Sequence, residues 1–335
     1  MEQTKNKLTV GAIAQELGVS KTTVSRALSG KGRISQETRE RVEAYVRRAG
    51  YEAAGSINRL ERCPTHNLGL VIPPHFVQLD LPFLRKCMGG VCRMAAQREY
   101  DVLLCYASRD EGTEQLERQL SANKIDGVIL SRTLKNDPCL DMVQGYGIPY
   151  VALGCLEDPN ALQVDNDHVG AAQELTRLLL QMGIRRIIYL GNRAEYTVNM
   201  DRMEGFRRAM EEYGLEVRPN MVFSGLNSEE KRIDALETAL EQEPECFLCG
   251  DDSIAFSILK DLRQRGISVP GQIRLASLYD SEILLNTTPT ITAVQFDDTA
   301  LGIAACRLLL DSMAGREVVP RQLQGYQVVL RESTK

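Results

Sequence analysis

The sequence predicts a small all-α headpiece followed by an α/β body of two similar lobes. Three short amphipathic segments lie within the first fifty residues, which favours a compact helical unit with a minimal core. From His66 onward, apolar strand-like runs alternate with helical patterns, an order typical of βαβ units and a parallel sheet. This part spans about 270 residues, more than one typical doubly wound domain, so two lobes are expected.

The first two helical segments, in residues 9–29, have the pattern of a helix-turn-helix. Apolar residues recur at helical spacing in both segments, at Ile13, Ala14, Leu17, Val24, Ala27 and Leu28. Gly18 marks a tight turn, and Ser20 is placed to cap the second helix. The exposed face of that helix then carries Lys21, Thr22, Thr23, Ser25 and Arg26. Such a helix fits the DNA major groove; an ordinary helical hairpin fits the same spacing.

A third helix is expected over residues 36–50, with Ser35 as its N-cap. Residues 51–65 read as a polar linker. Residues 1–62 contain 12 Lys and Arg against 7 Asp and Glu, a net charge of +5, whereas the remainder contains 28 against 38, a net charge of −10. A basic head on an acidic body favours a nucleic-acid-binding module attached to a domain that binds something else.

Seven apolar runs predict strands of the body, at residues 68–73, 101–107, 126–131, 149–154, 185–191, 246–250 and 273–279. Amphipathic stretches such as VGAAQELTRLLLQMG and DSIAFSILKDLRQRG predict helices between them. Ligands of such sheets bind at the carboxyl ends of the strands. Cys246 and Cys249 form a CxxC within one run, where a buried strand is favoured over a metal or redox site.

The composition bounds the class of protein. No run approaches the roughly 18–20 consecutive apolar residues of a membrane span, so no membrane partner is expected. The N-terminal segment MEQTKNKLTV lacks the apolar core of a secretory signal. An odd count of nine cysteines then favours reduced thiols. A cytoplasmic location is therefore expected.

Several short strings recur in a fixed order along the chain. The headpiece contains Ala14, Gly18-Val19-Ser20 and Thr23-Val24-Ser25-Arg26, then Ser35, Thr38-Arg39 and Val42; the body contains IDGVIL at 125–130, VDN at 164–166 and RMEGF at 202–206. In this order and spacing the set resembles the lac-repressor (LacI/GalR) family of bacterial transcriptional regulators, over nearly the whole chain. The resemblance implies a helix-turn-helix headpiece and a two-lobed sensor domain similar to periplasmic binding proteins.

The resemblance also implies the domain organisation. The headpiece is expected at residues 1–52, a hinge or linker at 53–65, and the effector-binding and dimerisation domain at 66–335. Crossovers near residues 160, 290 and 322 would divide that domain into an N-lobe (about 66–160 and 291–322) and a C-lobe (about 161–290 and 323–335). A homodimer that binds a palindromic double-stranded operator is implied, with contacts from the helix around residues 84–96, and a repressor is expected.

The predicted DNA contacts lie mainly on the second helix. Lys21 and Thr22 occupy its first turn, where side chains reach base edges, and Arg26 could reach a guanine or a phosphate. Phosphate or positioning contacts are predicted for Ser20, Thr23, Ser29, Arg33, Ser35 and Thr38. Ser25 and Tyr51 complete the set. Ordinary helix filler is the alternative for Thr23 and Ser25.

In the family, a hinge forms a helix on operator DNA and inserts a leucine into the minor groove. Tyr51 stands nine residues before Leu60, as the family's closing tyrosine stands before its hinge leucine, and Asn58 and Leu60 are the predicted minor-groove contacts. Ala53-Ala54 and Ile57-Asn58 replace the usual Pro-Asn and Ala-Arg, and Gly55 disfavours a helix by about 1 kcal/mol relative to Ala. Whether the hinge helix forms is left open.

The effector is expected in the cleft between the lobes, and a sugar or sugar derivative is the expected class. An arginine can hold hydroxyls or a carboxylate through two donors, and aspartates accept from hydroxyls. The candidates are His75, Phe76, Arg202, Asp251, Tyr279, Asp280 and Phe296. For Tyr279, stacking on a sugar ring and simple burial in the core are equally open.

Two other classes of protein fit this sequence less well. A solute-binding receptor of the same two-lobed fold without a DNA role would need an export signal and no headpiece. An enzyme on a doubly wound fold would need a catalytic or phosphate-binding motif. GxxxxGK[ST], GxGxxG after a strand and GxSxG do not occur, and three scattered histidines form no triad. No catalytic residue, cofactor or metal is predicted.

Overall fold

The computed structural model describes residues 10–29, 34–48, 64–74 and 82–335. Three helices form the headpiece: α1 (Val10–Leu17), α2 (Lys21–Ser29) and α3 (Gln36–Arg48). They pack around a small core in which Ile13, Val24 and Val42 are fully buried. The predicted three-helix headpiece is confirmed, because each helix contributes its apolar stripe to one centre.

Local signals set the helix boundaries in the headpiece. Gly18 follows α1 with a φ of +64°, a conformation that glycine adopts without steric cost. The Ser20 hydroxyl oxygen accepts from the Thr23 backbone N–H at 3.0 Å, and that of Ser35 accepts from the Thr38 N–H at 3.2 Å. Both predicted N-caps are confirmed, and each satisfies a backbone donor that its helix leaves free.

The body contains twelve strands and nine helices in its described residues. The strands are β1 (Asn67–Ile72), β2 (Asp101–Tyr106), β3 (Gly127–Leu130), β4 (Tyr150–Leu153), β5 (Gln163–Asn166), β6 (Ile187–Leu190), β7 (Val222–Phe223), β8 (Cys246–Cys249), β9 (Arg274–Ser277), β10 (Thr292–Phe296), β11 (Arg321–Gln324) and β12 (Tyr326–Val329). The helices are α4 (Pro82–Gln97), α5 (Glu114–Ser121), α6 (Pro138–Gly145), α7 (His168–Gln181), α8 (Thr197–Glu212), α9 (Glu229–Leu240), α10 (Asp252–Gln264), α11 (Glu282–Leu285) and α12 (Asp298–Met313).

The strands form two six-stranded sheets, one in each lobe. The N-lobe sheet has the order β11-β5-β4-β3-β1-β2 and is parallel throughout. The C-lobe sheet has the order β12-β10-β9-β8-β6-β7, and only β12 runs antiparallel to its neighbour. Helices α4 and α12 pack together on the N-lobe sheet, and α7 and α8 pack together in the C-lobe.

All seven predicted strands are confirmed, and the CxxC cysteines lie in the buried strand β8, as expected. Five further strands, β5, β7, β10, β11 and β12, were not predicted. Strands β5 (QVDN) and β11 (RQLQ) are too polar to show an apolar run. Strand β7 has only two residues. Strands β5 and β10 each pair with the preceding strand and also with a more distant one, β11 and β12 respectively, and a local pattern does not register the distant pairing.

The chain passes between the described parts of the two sheets three times: after β5 at Asp167, after β10 at Asp297, and at Gly325 between β11 and β12. The first two positions lie seven residues beyond the crossovers predicted near 160 and 290, whereas the third lies three residues beyond 322, within the few residues allowed for it. Residues 163–166 pair in the N-lobe sheet and residues 292–296 in the C-lobe sheet, so the predicted lobe boundaries are corrected accordingly. None of the helices in the described ranges is both long and apolar enough to span a bilayer.

A buried hydrogen bond joins the lobes beside the second crossing. The Tyr279 hydroxyl, just after β9 in the C-lobe, donates to Asp298 Oδ2 at 2.6 Å. Asp298 is the first residue of α12 and is 2% exposed, and its Oδ1 has no hydrogen-bond partner among the described residues. Burial raises the pKa of Asp298 from 3.8 to about 6, against the opposing effect of the Tyr279 bond.

We expect Gly205→Ala to lower the melting temperature of the body. A Cβ at Gly205 on α8 would collide with the carbonyl oxygen of Val169 on α7, so the two helices must separate, at a cost of about 1–3 kcal/mol. Gly89→Ala on α4 is the matched control, because a Cβ there meets nothing within 4 Å. An equal effect of the two substitutions would contradict this account of the helix contact.

A second prediction concerns pH. When the pKa of an acid is higher in the folded protein than in the unfolded chain, the protein becomes less stable as the pH rises from the unfolded pKa to the folded pKa. The loss is about 1.4 kcal/mol for each unit by which the two pKa values differ. Asp298→Asn keeps an acceptor for Tyr279 and removes the buried charge. Its melting temperature should exceed that of wild type at pH 8, and the difference should shrink towards pH 5.

The control for this experiment is Asp297→Asn. Asp297 caps α12 by accepting from the Ala300 N–H at 2.9 Å, a bond that asparagine also makes. Asp297 is the smallest contributor to the raised pKa of Asp298, so the melting temperature of Asp297→Asn at pH 8 should stay closer to wild type than that of Asp298→Asn. A difference between Asp298→Asn and wild type that is the same at pH 5 and pH 8 would contradict the raised pKa.

Candidate functional site

The two lobes enclose a cavity of about 620 Å³ at the carboxyl ends of their strands. Its walls include residues at or just after the carboxyl ends of β3, β4 and β5 in the N-lobe and of β6, β7, β8 and β9 in the C-lobe. This is the position at which open parallel sheets bind ligands, and the volume suits a small molecule.

Five residues that line this cavity each have one buried side-chain polar atom without a hydrogen-bond partner among the described residues. These atoms are Ser131 Oγ, Asp165 Oδ2 and Asn166 Oδ1 from the N-lobe, and His168 Nδ1 and Arg202 Nε from the C-lobe. Buried polar groups are nearly always paired, because an unmade bond costs about 1–3 kcal/mol. These atoms, which come from both lobes, therefore favour a site for a polar ligand that touches both lobes.

Arg202 is held rigidly on the C-lobe wall. It lies on α8 and is 6% exposed. Its Nη1 donates to the Gly250 carbonyl oxygen at 2.7 Å, and its guanidinium carbon lies 6.0 Å from the centroid of the Tyr279 ring. One side of the guanidinium is thus fixed by the backbone, which leaves Nε available as a positioned donor.

Asp251 and Tyr279 also line the cavity, but each has a structural bond. Asp251 caps α10 through Oδ1, which accepts from the Ile254 N–H at 2.9 Å, while its Oδ2 lies 3.4 Å from Asn192 Nδ2. The Tyr279 hydroxyl is bound to Asp298. Asp251 therefore offers one carboxylate oxygen to a ligand, and Tyr279 offers its ring.

The structure removes Asp280 and Phe296 from the predicted cavity lining. Both oxygens of Asp280 are bound by Arg331, at 2.8 and 2.5 Å, and Gln295 Nε2 also donates to Oδ2 at 2.9 Å. Phe296 lies behind Tyr279, with ring centroids 6.4 Å apart and an interplanar angle of 16°. Asp280 is thus part of a buried ion pair, and Phe296 supports the Tyr279 ring.

Two predicted candidates, His75 and Phe76, lie outside the described residues. The structure adds lining residues that the sequence reasoning missed, among them Ser131, Arg132, Asp165, Asn166, Tyr196 and Asn199. Ser131 is the last residue of a predicted strand and Arg132 directly follows it, so the rule that ligands bind at strand carboxyl ends could have identified them. No comparable local signal marks Tyr196 or Asn199.

Arg132 lies beside an aromatic ring in the cavity wall. Its guanidinium carbon is 4.8 Å from the centroid of the Tyr196 ring. Burial lowers the pKa of Arg132 from 12.5 to about 10, with Tyr196 acting in the opposite direction. The group stays protonated at neutral pH and adds positive charge to the N-lobe side of the cavity.

The lobes touch each other at the edge of the cavity. Leu134 of the N-lobe and Tyr196 of the C-lobe form an isolated antiparallel bridge, and the hydroxyls of Thr133 and Thr197 are hydrogen-bonded beside it. An ion pair joins Arg193 Nη1 to Asp110 Oδ2 at 2.9 Å across the same edge. These contacts join the two lobes at this edge of the cavity.

The headpiece presents a second candidate surface. Lys21, Thr22 and Arg26 are exposed on α2, and the hydroxyls of Ser20 and Thr23 bond to each other at 2.8 Å. Ser35 and Thr38 form the same pairing at 2.7 Å at the start of α3. Ser25 and Ser29 lie on α2. Arg33, Tyr51, Asn58 and Leu60 lie outside the described residues.

Known proteins resemble this chain both in the headpiece and in the domain that contains the cavity. The family described as bacterial regulatory proteins, lacI family, matches residues 9–53, and the periplasmic binding protein-like domain matches residues 176–334. The transcriptional regulator CelR of Thermobifida fusca is 26% identical over 98% of this chain and 99% of its own. The transcriptional regulator AglR of Rhizobium meliloti is 27% identical over 96% of this chain and 93% of its own.

A solved structure described as the CelR–cellobiose complex superposes with a TM-score of 0.74 at 25% identity, over 98% of this chain and 100% of that one. The headpiece and the two-lobed domain thus match the same regulators, over nearly the full length of both chains. The chain therefore combines a LacI-family helix-turn-helix headpiece with a two-lobed domain like that of periplasmic binding proteins, and the relatives that share this arrangement are named as transcriptional regulators.

Proposed function

We propose that this protein is a sequence-specific DNA-binding transcriptional regulator whose affinity for operator DNA is controlled by a sugar-like molecule bound between its lobes. The observation that carries the proposal is the presence, in one chain, of an exposed basic recognition helix and an interlobe cavity with unpaired buried polar atoms. A solute-binding receptor without a DNA role accounts for the cavity and leaves the headpiece unexplained.

On DNA, the first turn of α2 lies in the major groove. Lys21 and Thr22 face base edges there, and Arg26 reaches a guanine or a phosphate. The Ser20–Thr23 and Ser35–Thr38 pairs lie at the starts of α2 and α3, where backbone N–H groups favour a phosphate. In a homodimer, each of the two headpieces binds one half-site of a palindromic operator, which doubles the number of DNA contacts.

In the cavity, the unpaired atoms match the hydroxyls of a sugar. Arg202 Nε donates, Asn166 Oδ1 accepts, and Ser131 Oγ does either. Tyr279 supplies an aromatic face against which the apolar side of a sugar ring packs. The cellobiose bound to the related regulator CelR supports a saccharide as the class of effector.

Effector binding favours the closed arrangement because one ligand bonds to both lobes at once. The contacts at the cavity edge, between residues 133–135 and 195–197 and between Asp110 and Arg193, then persist. In a dimer, with contacts that include the exposed face of α4, closure changes the spacing of the headpieces. A coupling of about 1–3 kcal/mol is typical of such linkage. We propose that the protein acts as a repressor.

The proposed binding to DNA is tested with a palindromic operator that is selected from a random library. Lys21→Ala and Thr22→Ala should change which half-sites are preferred, because they remove base contacts. Arg33→Ala should weaken binding to all sequences alike, because it removes a phosphate contact. Affinity should fall steeply as salt concentration rises, through counterion release. A flat salt response, measured by fluorescence anisotropy, would contradict the proposal.

The effector site is tested by a thermal-shift screen of sugars, including cellobiose, with sugar phosphates and nucleosides. A ligand at 100 times its Kd adds about 2.7 kcal/mol of stability. Arg202→Ala should abolish the shift and preserve operator binding. The matched control is Arg208→Ala on the same helix, since Arg208 is exposed and pairs with Glu204. A shift retained in Arg202→Ala and lost in Arg208→Ala would place the ligand elsewhere.

A further inference from the structure

We propose that Cys155, Asp165 and Asp201 bind one Zn²⁺ ion at the junction of the two lobes, next to the effector cavity. Their Sγ and carboxylate oxygen atoms lie within 4.8 Å of one another. Zinc–sulfur bonds of about 2.3 Å and zinc–oxygen bonds of about 2.0–2.2 Å would draw these atoms together by roughly an ångström. Side-chain movement alone covers that distance.

The three residues come from both lobes. Cys155 follows β4 and Asp165 lies in β5 of the N-lobe, whereas Asp201 lies on α8 of the C-lobe. Asp165 itself lines the effector cavity, as does His168 at the start of α7. A metal ion held by all three residues therefore ties the lobes together beside the first crossing of the chain.

An unpaired buried oxygen points independently to a ligand here. Asp165 is 6% exposed, and its Oδ1 accepts from the Asn166 N–H at 2.8 Å and lies 3.4 Å from His168 Nε2. Its Oδ2 is buried and has no hydrogen-bond partner among the described residues. A buried carboxylate oxygen is costly to leave in this state, and a cation satisfies it directly.

The composition of the cluster favours a cation as well, because two carboxylates and one thiol lie together in it. An opposite charge within about 4–6 Å stabilises the charged forms of such groups. Arg321 Nη2 lies 3.5 Å from Cys155 Sγ, but its side chain is exposed and can turn to solvent. A bound divalent ion deprotonates a thiol and both carboxylates at neutral pH.

The donor set identifies the ion. A thiolate with two carboxylates suits Zn²⁺, whereas Mg²⁺ and Ca²⁺ prefer oxygen ligands alone. His168 lies beside Asp165 and orients that carboxylate, in the manner of the outer ligand shell of zinc sites. Sequence reasoning predicted no metal, because these residues are separated along the chain and show no ligand spacing.

The test uses the full chain after treatment with EDTA and dialysis. Isothermal titration with ZnCl₂ should show one ion bound per chain, and Co²⁺ should give a thiolate-to-cobalt charge-transfer band. Cys155→Ser should abolish that band, and Asp201→Asn should weaken Zn²⁺ binding at least about tenfold. Cys92→Ser and Asp141→Asn are the controls, because both residues are exposed and lie outside the cluster, and both should bind as wild type does.

Two results would overturn the proposal. One is the absence of stoichiometric Zn²⁺ binding to the wild-type chain. The other is a cobalt–thiolate band that survives in Cys155→Ser and is lost in Cys92→Ser, which would place the metal at a surface thiol. Should Cys155→Ser fail to fold, Asp201→Asn decides the matter, since Asp201 is only half-buried; binding equal to wild type in that variant would contradict the site.

Discussion

The requirement that buried polar atoms be paired is the constraint on which this account depends. Ser131, Asn166 and Arg202 each have one buried side-chain atom without a hydrogen-bond partner among the described residues, and all three residues line one cavity between two lobes. Neither lobe can meet the requirement alone, because the atoms come from opposite walls. A polar ligand that pairs them must bridge the lobes, and lobe closure follows from the same bonds.

The crossings of the chain determine how that closure can be transmitted. The described chain passes between the sheets at Asp167, Asp297 and Gly325, and polar side chains cluster around the first two. Asp165 and His168 flank one crossing, and the Tyr279–Asp298 bond lies beside another. Buried polar bonds of this kind depend on geometry over tenths of an ångström. They make the relative position of the lobes sensitive to what the cavity holds.

The headpiece was predictable because its signals are local: two serine caps, one glycine turn and apolar stripes at helical spacing. The cleft was only partly predictable. Arg202 lies within the RMEGF string and lines the cavity. Asp280, in contrast, is paired with Arg331, which lies 51 residues further along the chain, and no local sequence pattern indicates that ion pair. Polar strands such as β5 were not predicted because their composition shows no apolar run. Pairing and burial within the sheet stabilise them as strands.

The central claim is that the cavity and the recognition helix are thermodynamically linked, and linkage is reciprocal. The direct test measures the Kd of a saccharide identified by thermal shift, by isothermal titration, for the protein alone and for the protein saturated with operator DNA. The account predicts that operator changes the saccharide Kd by the same factor, roughly 5- to 150-fold, by which the saccharide changes the operator Kd. Identical saccharide Kd values with and without operator would contradict it.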